Sequence, residues 1–203
     1  MTRTLYLTAA CVAALSLSAC NKPASTTAAD AVTTANQPVN AAQDATGAAV
    51  GEASASTLGA HDTGAFVSNA SQSDMYEMQA AKIAEARSKN TEVKAFAKMM
   101  IADHTAMMKA MAPLVTAAGN TPAAELDQRR KGFVDNLNQA TEANFDKAYI
   151  DQQVAAHEEA LTLMKGYADK GDDAGLKGGA ASAIPKIQMH LDKAKAIQAG
   201  LKS

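Results

Sequence analysis

The chain has 203 residues, 19 basic and 21 acidic side chains, and a net charge of −2. That balance lacks the basic face a nucleic-acid partner needs, so nucleic acid is excluded as a target. Tryptophan is absent, aromatics make up 4% and there are 10 methionines and two cysteines, a composition that favours helices and leaves packing, not cross-links, to hold any core.

At the N-terminus a single basic residue, Arg3, precedes an apolar run from Leu5 to Leu17, followed by Ser18, Ala19 and Cys20. A charged start, a short apolar middle and small residues before a cut site describe an export signal. The run is shorter than the ~20 residues a spanning helix needs. Leu17-Ser18-Ala19-Cys20 resembles the lipobox of bacterial lipoproteins. The resemblance implies that residues 1–19 are removed, that Cys20 becomes the first mature residue and carries a lipid, and that the membrane is the partner of that end. Asn21 in place of an aspartate after the cysteine implies, by the same resemblance, the outer membrane in preference to the inner. Cleavage removes Cys11 with the signal and lipidation occupies Cys20, so no thiol is left for a disulfide.

Residues 20–61 are rich in Ala, Thr, Ser, Asn, Gln and Gly. Such a segment buries too little surface to offset the entropy of ordering it, and reads as a flexible tether with a reach of roughly 35 Å. Helical periodicity takes over from Asp62 and marks residues 62–203 as the folded domain. Phe66, Ala70, Glu77, Ala81 and Ala84 share a face of a first helix. Asn90 or Thr91 caps a second, with the stripe Val93, Phe96, Met100, His104, Met107, Met111, Leu114 and Ala118, and Gly119-Asn120 stops it. Thr121-Pro122 is expected to cap and start a short third helix ending near Ala140. Its Arg129-Arg130-Lys131 cluster reads as a solvated face. Thr141 caps a long helix with Phe145, Tyr149, Ile150, Val154, His157, Leu161, Met164 and Ala168 on one face. After Gly171-Asp172 a last helical stretch carries Ile184, Ile187, Leu191, Ala194 and Leu201, with Pro185 starting or kinking the final helix. Four long amphipathic helices with short joints make an all-α, up-down four-helix bundle with an additional short helix the economical arrangement.

Motifs for common chemistry are missing: there is no Gly-rich phosphate loop, no G-x-S-x-G, no C-x-x-C and no H-E-x-x-H. What the sequence offers is one histidine on the apolar face of each of three long helices, His104, His157 and His190, and Glu77 on the fourth. A buried imidazole or carboxylate is costly unless paired or ligated. Two readings follow: a structural polar network, with Asp103 and Glu158 orienting the histidines, or a metal site. Met100, Met107 and Met108 lie on or beside the His104 face and are further candidate ligands. Thioether with imidazole suits copper, above all Cu(I), whereas methionine also simply fills cores.

Three ordered segments carry a family resemblance. Val93-Lys94-Ala95-Phe96-Ala97-Lys98-Met99-Met100-Ile101-Ala102-Asp103-His104 is similar to the V-K-x-F-A-x-x-M-x-x-D-H segment of the domain-of-unknown-function 4142 family. Phe145-Asp146-Lys147-Ala148-Tyr149 with Val154 and His157 resembles its F-D-x-x-Y…V…H, and Ile184-Pro185-Lys186-Ile187-Gln188-Met189-His190-Leu191 its L-P-x-L-x-x-H-L. The resemblance implies an exported protein with a ferritin-like helical fold, and no reaction. Gly178-Gly179 stands where the family tends to carry a bulkier apolar pair, which implies a looser start to the last helix. Di-iron sites of the ferritin type use Glu-x-x-His. The residues three before His104, His157 and His190 are Ile101, Val154 and Ile187, so that chemistry is not expected. The expected role is a lipid-anchored envelope module for binding or stress protection, with a transition metal such as copper as its ligand. The alternatives are a metal-dependent oxidoreductase at the same residues and a purely structural or partner-binding module.

Overall fold

The computed structural model describes residues 28–201, with side chains from residue 41. The predicted signal and lipidation site at Cys20 lie outside the described residues. Six helices follow one another: α1 (Ala28–Ser56), α2 (Thr63–Arg87), α3 (Thr91–Ala117), α4 (Gln128–Gln139), α5 (Glu142–Lys170) and α6 (Ala174–Leu201), with a single 3-10 turn at Leu58–Ala60. The described residues contain no strand, and among them no helix is long and apolar enough to cross a membrane.

The helix starts obey local capping chemistry. Asp62 accepts the Ala65 N–H at 2.7 Å. Asn90 accepts from Glu92 at 2.9 Å and Val93 at 3.3 Å, and Asp173 from Leu176 at 2.8 Å. Gly119, at φ 70°, provides the left-handed turn that ends α3. The expected start of α4 at Thr121-Pro122 is corrected to Gln128. Asp127 is the cap, accepting the Arg130 N–H at 2.7 Å. The stretch before it is tied to α2 instead, with the Ala123 N–H donated to Ser71 Oγ at 2.9 Å and the Asp127 N–H to Gln72 Oε1 at 2.7 Å. The last helix does not start at Pro185; α6 begins eleven residues earlier and runs through it.

Helices α2, α3, α5 and α6 form the bundle. Short joints make α2–α3 and α5–α6 antiparallel hairpins. Cross-contacts such as Lys98–Glu85 and Lys195–Glu158 confirm both. The pairing of Thr63 with Tyr167 puts the start of α2 against the end of α5, and Gly179 against Leu114 does the same for α6 and α3. Every neighbour in the bundle is therefore antiparallel. The end of α3 and the start of α5 lie at opposite ends, so the loop after α3 and α4 must climb the outside as a long crossover. Arg87 of α2 closes that climb, donating to the carbonyls of Asn138 at 3.0 Å and Ala140 at 2.5 Å while lying over the Phe145 ring.

The tether reading of residues 20–61 does not survive over the described part. Helix α1 occupies 28–56, and its described side chains dock on α4 and α5. Asp44 accepts from Asn136 at 2.6 Å and Gln152 at 2.7 Å. Glu52 accepts from Thr162 at 2.5 Å, and Ala55 is buried. The physical reason is the spacing of the small residues. Gly47, Gly51 and Ala55 recur every fourth position and bring the helix backbone close to its partners. A Cβ on Gly47 would stand 2.7 Å from the Phe133 ring, and one on Gly51 would collide with the Glu159 carboxylate. The basic cluster is likewise not a solvated face. Arg129 and Arg130 both grip Glu159 at 2.8 Å, Arg130 also reaches Asp127 at 2.6 Å, and Arg130 is buried. Only Lys131 is a surface residue of the kind expected, paired with the exposed Glu125.

Candidate metal centre

The bundle has two apolar halves. One is built on Tyr76, Phe96, Met100, Leu137, Phe145 and Tyr149, the other on Phe66, Leu161, Leu163, Tyr167, Leu176 and Ile187. The four polar candidates lie between them. His104 is at the midpoint of α3, and Glu77, His157 and His190 each fall within three residues of the midpoint of their own helix. Antiparallel neighbours of nearly equal length bring midpoints to one height. The side chains therefore meet, all of them at most 2% exposed.

One ring nitrogen from each of His104, His157 and His190 lies within 4.8 Å of the others. The ring centroids are 5.4 to 6.2 Å apart. Glu77 joins them, with Oε2 2.8 Å from His104 Nε2 and Oε1 3.5 Å from His157 Nδ1. Each imidazole uses one nitrogen for an orienting bond. His104 Nδ1 donates to Asp74 at 2.8 Å, His157 Nδ1 to the Gln153 carbonyl at 2.7 Å, and His190 Nε2 to Asp103 at 2.8 Å. The second nitrogen of each ring has no hydrogen-bond partner; the close approach of His104 Nε2 to Glu77 is poorly aligned. Eight buried side-chain polar atoms among the described residues lack a partner, and Glu77, His104, His157 and His190 supply one each. Such orphans are rare in folded proteins. An imidazole anchored through one nitrogen and open at the other is how metal-binding histidines are held.

Burial opposes every charge here. It pushes the Glu77 carboxyl up, but His157 and His104, both protonated in the acid range where Glu77 titrates, more than offset it and hold the group down to about 2. Burial lowers His104, yet the Glu77 and Asp74 carboxylates outweigh it and raise the imidazole to about 10. Burial dominates at the other two rings: His157 is lowered, and His190 falls to about 4 despite the bond to Asp103. At neutral pH the centre is thus a carboxylate and one imidazolium facing two neutral imidazoles. With Nδ1 of His157 and Nε2 of His190 holding protons on their acceptors, the open nitrogens of these two rings carry lone pairs. A cation would displace the proton from His104 Nε2.

The predicted residues separate on inspection. Glu77, His104, His157 and His190 come together. Asp103 orients His190 as expected and is itself held by Lys186 at 3.2 Å. Glu158 does not orient a histidine; it points outward and pairs with Lys195 at 2.7 Å. Met100 belongs to the Phe96–Tyr149 cluster, whereas Met107 and Met108 line a cavity of about 170 Å3 that opens from Glu77, His104 and His157 towards the other apolar half. Sequence reasoning missed Asp74. Its signal was present: Asp74 precedes Glu77 by three residues, so two carboxylates share one helical face. The carbonyl of Gln153 was invisible to it, because the acceptor is an ordinary backbone group one turn before His157.

The model of the family described as Domain of unknown function (DUF4142) matches residues 48–197. The matched region begins within α1 and takes in Gly51 and Ala55 but not Asp44 or Gly47. No curated protein and no solved structure matches the chain. The chain belongs to the DUF4142 family, whose description carries no activity.

Proposed function

We propose that this DUF4142 chain is a lipid-anchored protein of the bacterial envelope that binds one transition-metal ion between His104, His157 and His190, with Glu77 as the adjoining carboxylate donor. The observation that carries the reading is the set of three buried imidazoles, each tethered through one nitrogen, with the second nitrogen of His157 and of His190 unpartnered and that of His104 facing the Glu77 carboxylate at 2.8 Å. Imidazole and carboxylate donors suit zinc, copper, iron or nickel. One nitrogen of each ring lies within 4.8 Å of the others, near enough to share one ion at bonds of about 2.0–2.1 Å. Ile101, Val154 and Ile187 occupy the positions where a ferritin-type pair of irons would need carboxylates.

The role is binding. Metal analysis of the purified mature chain is expected to give one equivalent, lost in His104→Ala and in His157→Ala. Equal content in all three proteins, or none in the wild type, refutes the site; a fall in melting temperature without any change in metal content assigns the histidines to a structural network. Turnover with oxygen or peroxide at the loaded site would make the protein an oxidoreductase. The envelope address rests on Leu17-Ser18-Ala19-Cys20. Lipid labelling of the expressed protein tests it, and label retained in Cys20→Ser refutes it.

A further inference from the structure

The methionines of α3 are not used by the imidazole site. Three of them, Met107, Met108 and Met111, follow His104 at three, four and seven residues, and so step along one helix face by about 5 Å per turn. All three line the cavity that adjoins Glu77, His104 and His157. Met164 closes it from α5, two turns beyond His157. Met108 is 40% exposed, so the row runs from solvent to the buried centre. The rest of the wall is largely apolar, including Phe66, Val67 and Val115. Gly179 of α6 keeps the row in place: a Cβ there would stand 2.8 Å from Met111 Sδ. Gly179 is thus the space into which this thioether packs, whereas a Cβ on Gly178 would meet nothing within 4 Å.

We infer that this cavity is an entry chamber for a soft monovalent cation, Cu(I) in chemical class, which enters at the exposed Met108 and is held by the thioethers of Met107, Met108 and Met111 before it reaches the imidazole site. The inference rests on the metal-site reading above. An apolar chamber of this size resists a strongly hydrated divalent ion, because losing the water shell is not compensated there. Cu(I) has a lower charge and prefers thioether sulfur. The chamber therefore selects by softness before the imidazoles bind. No electron is transferred in this passage; the ion exchanges sulfur ligands for nitrogen.

The test uses the metal-free mature chain with silver(I), a redox-inert stand-in for Cu(I), and zinc(II) as the hard comparison. The variant Met107→Leu/Met108→Leu/Met111→Leu keeps volume, a change cores tolerate. Silver uptake by the variant is expected to slow about tenfold, equivalent to roughly 1.4 kcal/mol at the entry barrier, with zinc uptake unchanged. In the wild type, the labelled methyl resonances of Met107, Met108 and Met111 are expected to shift at silver amounts below one equivalent. Silver uptake at the wild-type rate, equal slowing for zinc, or motionless methionine resonances overturns the chamber. Retention of either ion in His157→Ala and His190→Ala reads the imidazole site separately: unchanged retention there removes that site, whereas loss there with normal silver entry in the leucine variant removes the chamber alone.

Discussion

Replacing Glu77 by glutamine preserves its shape and removes the one anion buried against two of the histidines. In the metal-free protein the carboxylate stands 2.8 Å from His104 Nε2, with both side chains almost fully buried. Breaking a buried pair from one side costs about 3–5 kcal/mol, because the other charge stays behind in a dry interior. Asp74 remains 2.8 Å from His104 Nδ1 as a second counter-ion, which places the loss near the low end, about 3 kcal/mol. At about 2–4 °C per kcal/mol for a chain of this size, Glu77→Gln should lower the melting temperature by roughly 6–12 °C at pH 7. Circular dichroism on chelator-treated protein measures it. The pH dependence sharpens the test. His104 is raised from 6.5 to about 10, so its contribution is complete below pH 6.5 and is lost as pH rises through 10. Glu77 is lowered from 4.5 to about 2, so its contribution is complete above pH 4.5 and is lost as pH falls through 2. The gap between wild type and variant is therefore widest between pH 4.5 and 6.5 and closes above pH 10. A gap under about 2 °C at pH 7, or one unchanged above pH 10, refutes the assignment of a charged pair.

Three further outcomes follow from other parts of the molecule. Asp103→Asn weakens the acceptor that orients His190 and should reduce metal affinity about 10–100-fold, measured by chelator competition; unchanged affinity would show that His190 is not a ligand. Metal-free protein should lose stability as pH falls from 6.5 towards 4, because His190 is lowered from 6.5 to about 4 and the unfolded chain takes up the proton first. His190→Gln should flatten that slope in thermal melts, and an identical slope in the variant would count against it. Gly51→Val drives a side chain into Glu159 and Arg129 and should release α1, at a cost of about 1–3 kcal/mol. Limited proteolysis should then cut within residues 28–56 faster than in the wild type, and equal protection would refute the packing role of Gly51.

Much was legible in the chain order alone. The onset of apolar periodicity at Asp62, the cap Asn90 and the break at Thr141, which makes no side-chain capping bond, located α2, α3 and α5, because capping and amphipathic spacing are local properties. The four centre residues were readable as polar groups on apolar faces, but their shared height was not, because it depends on helix bounds, above all the start of α6 at Ala174, that the spacing did not give. Composition without geometry misleads at two places. The Ala- and Gly-rich stretch before residue 60 has the composition of coil, yet Gly47, Gly51 and Ala55 form a face that docks α1 closely enough for the small side chains to matter. Arg129 and Arg130 have the pattern of surface charge, yet Glu159, about thirty residues away in the chain, lies 2.8 Å from both in space. The late start of α4 has the same origin, since Ser71 and Gln72 hold the preceding loop from another helix.

The amino-acid sequence by itself therefore determined α2, α3 and α5, the inward histidines with Glu77, and the absence of the Glu-x-x-His pattern, because each depends on neighbours within a turn or two. Only the tertiary structure decided which nitrogen of each ring is occupied, that Asp74 and a backbone carbonyl of Gln153 do the orienting alongside Asp103, that Met107 and Met108 border the centre while Met100 does not, and that α1 is docked. Those are relations between residues far apart in the chain. Their distances and directions arise when antiparallel helices are packed and exist nowhere in the spacing of the residues themselves.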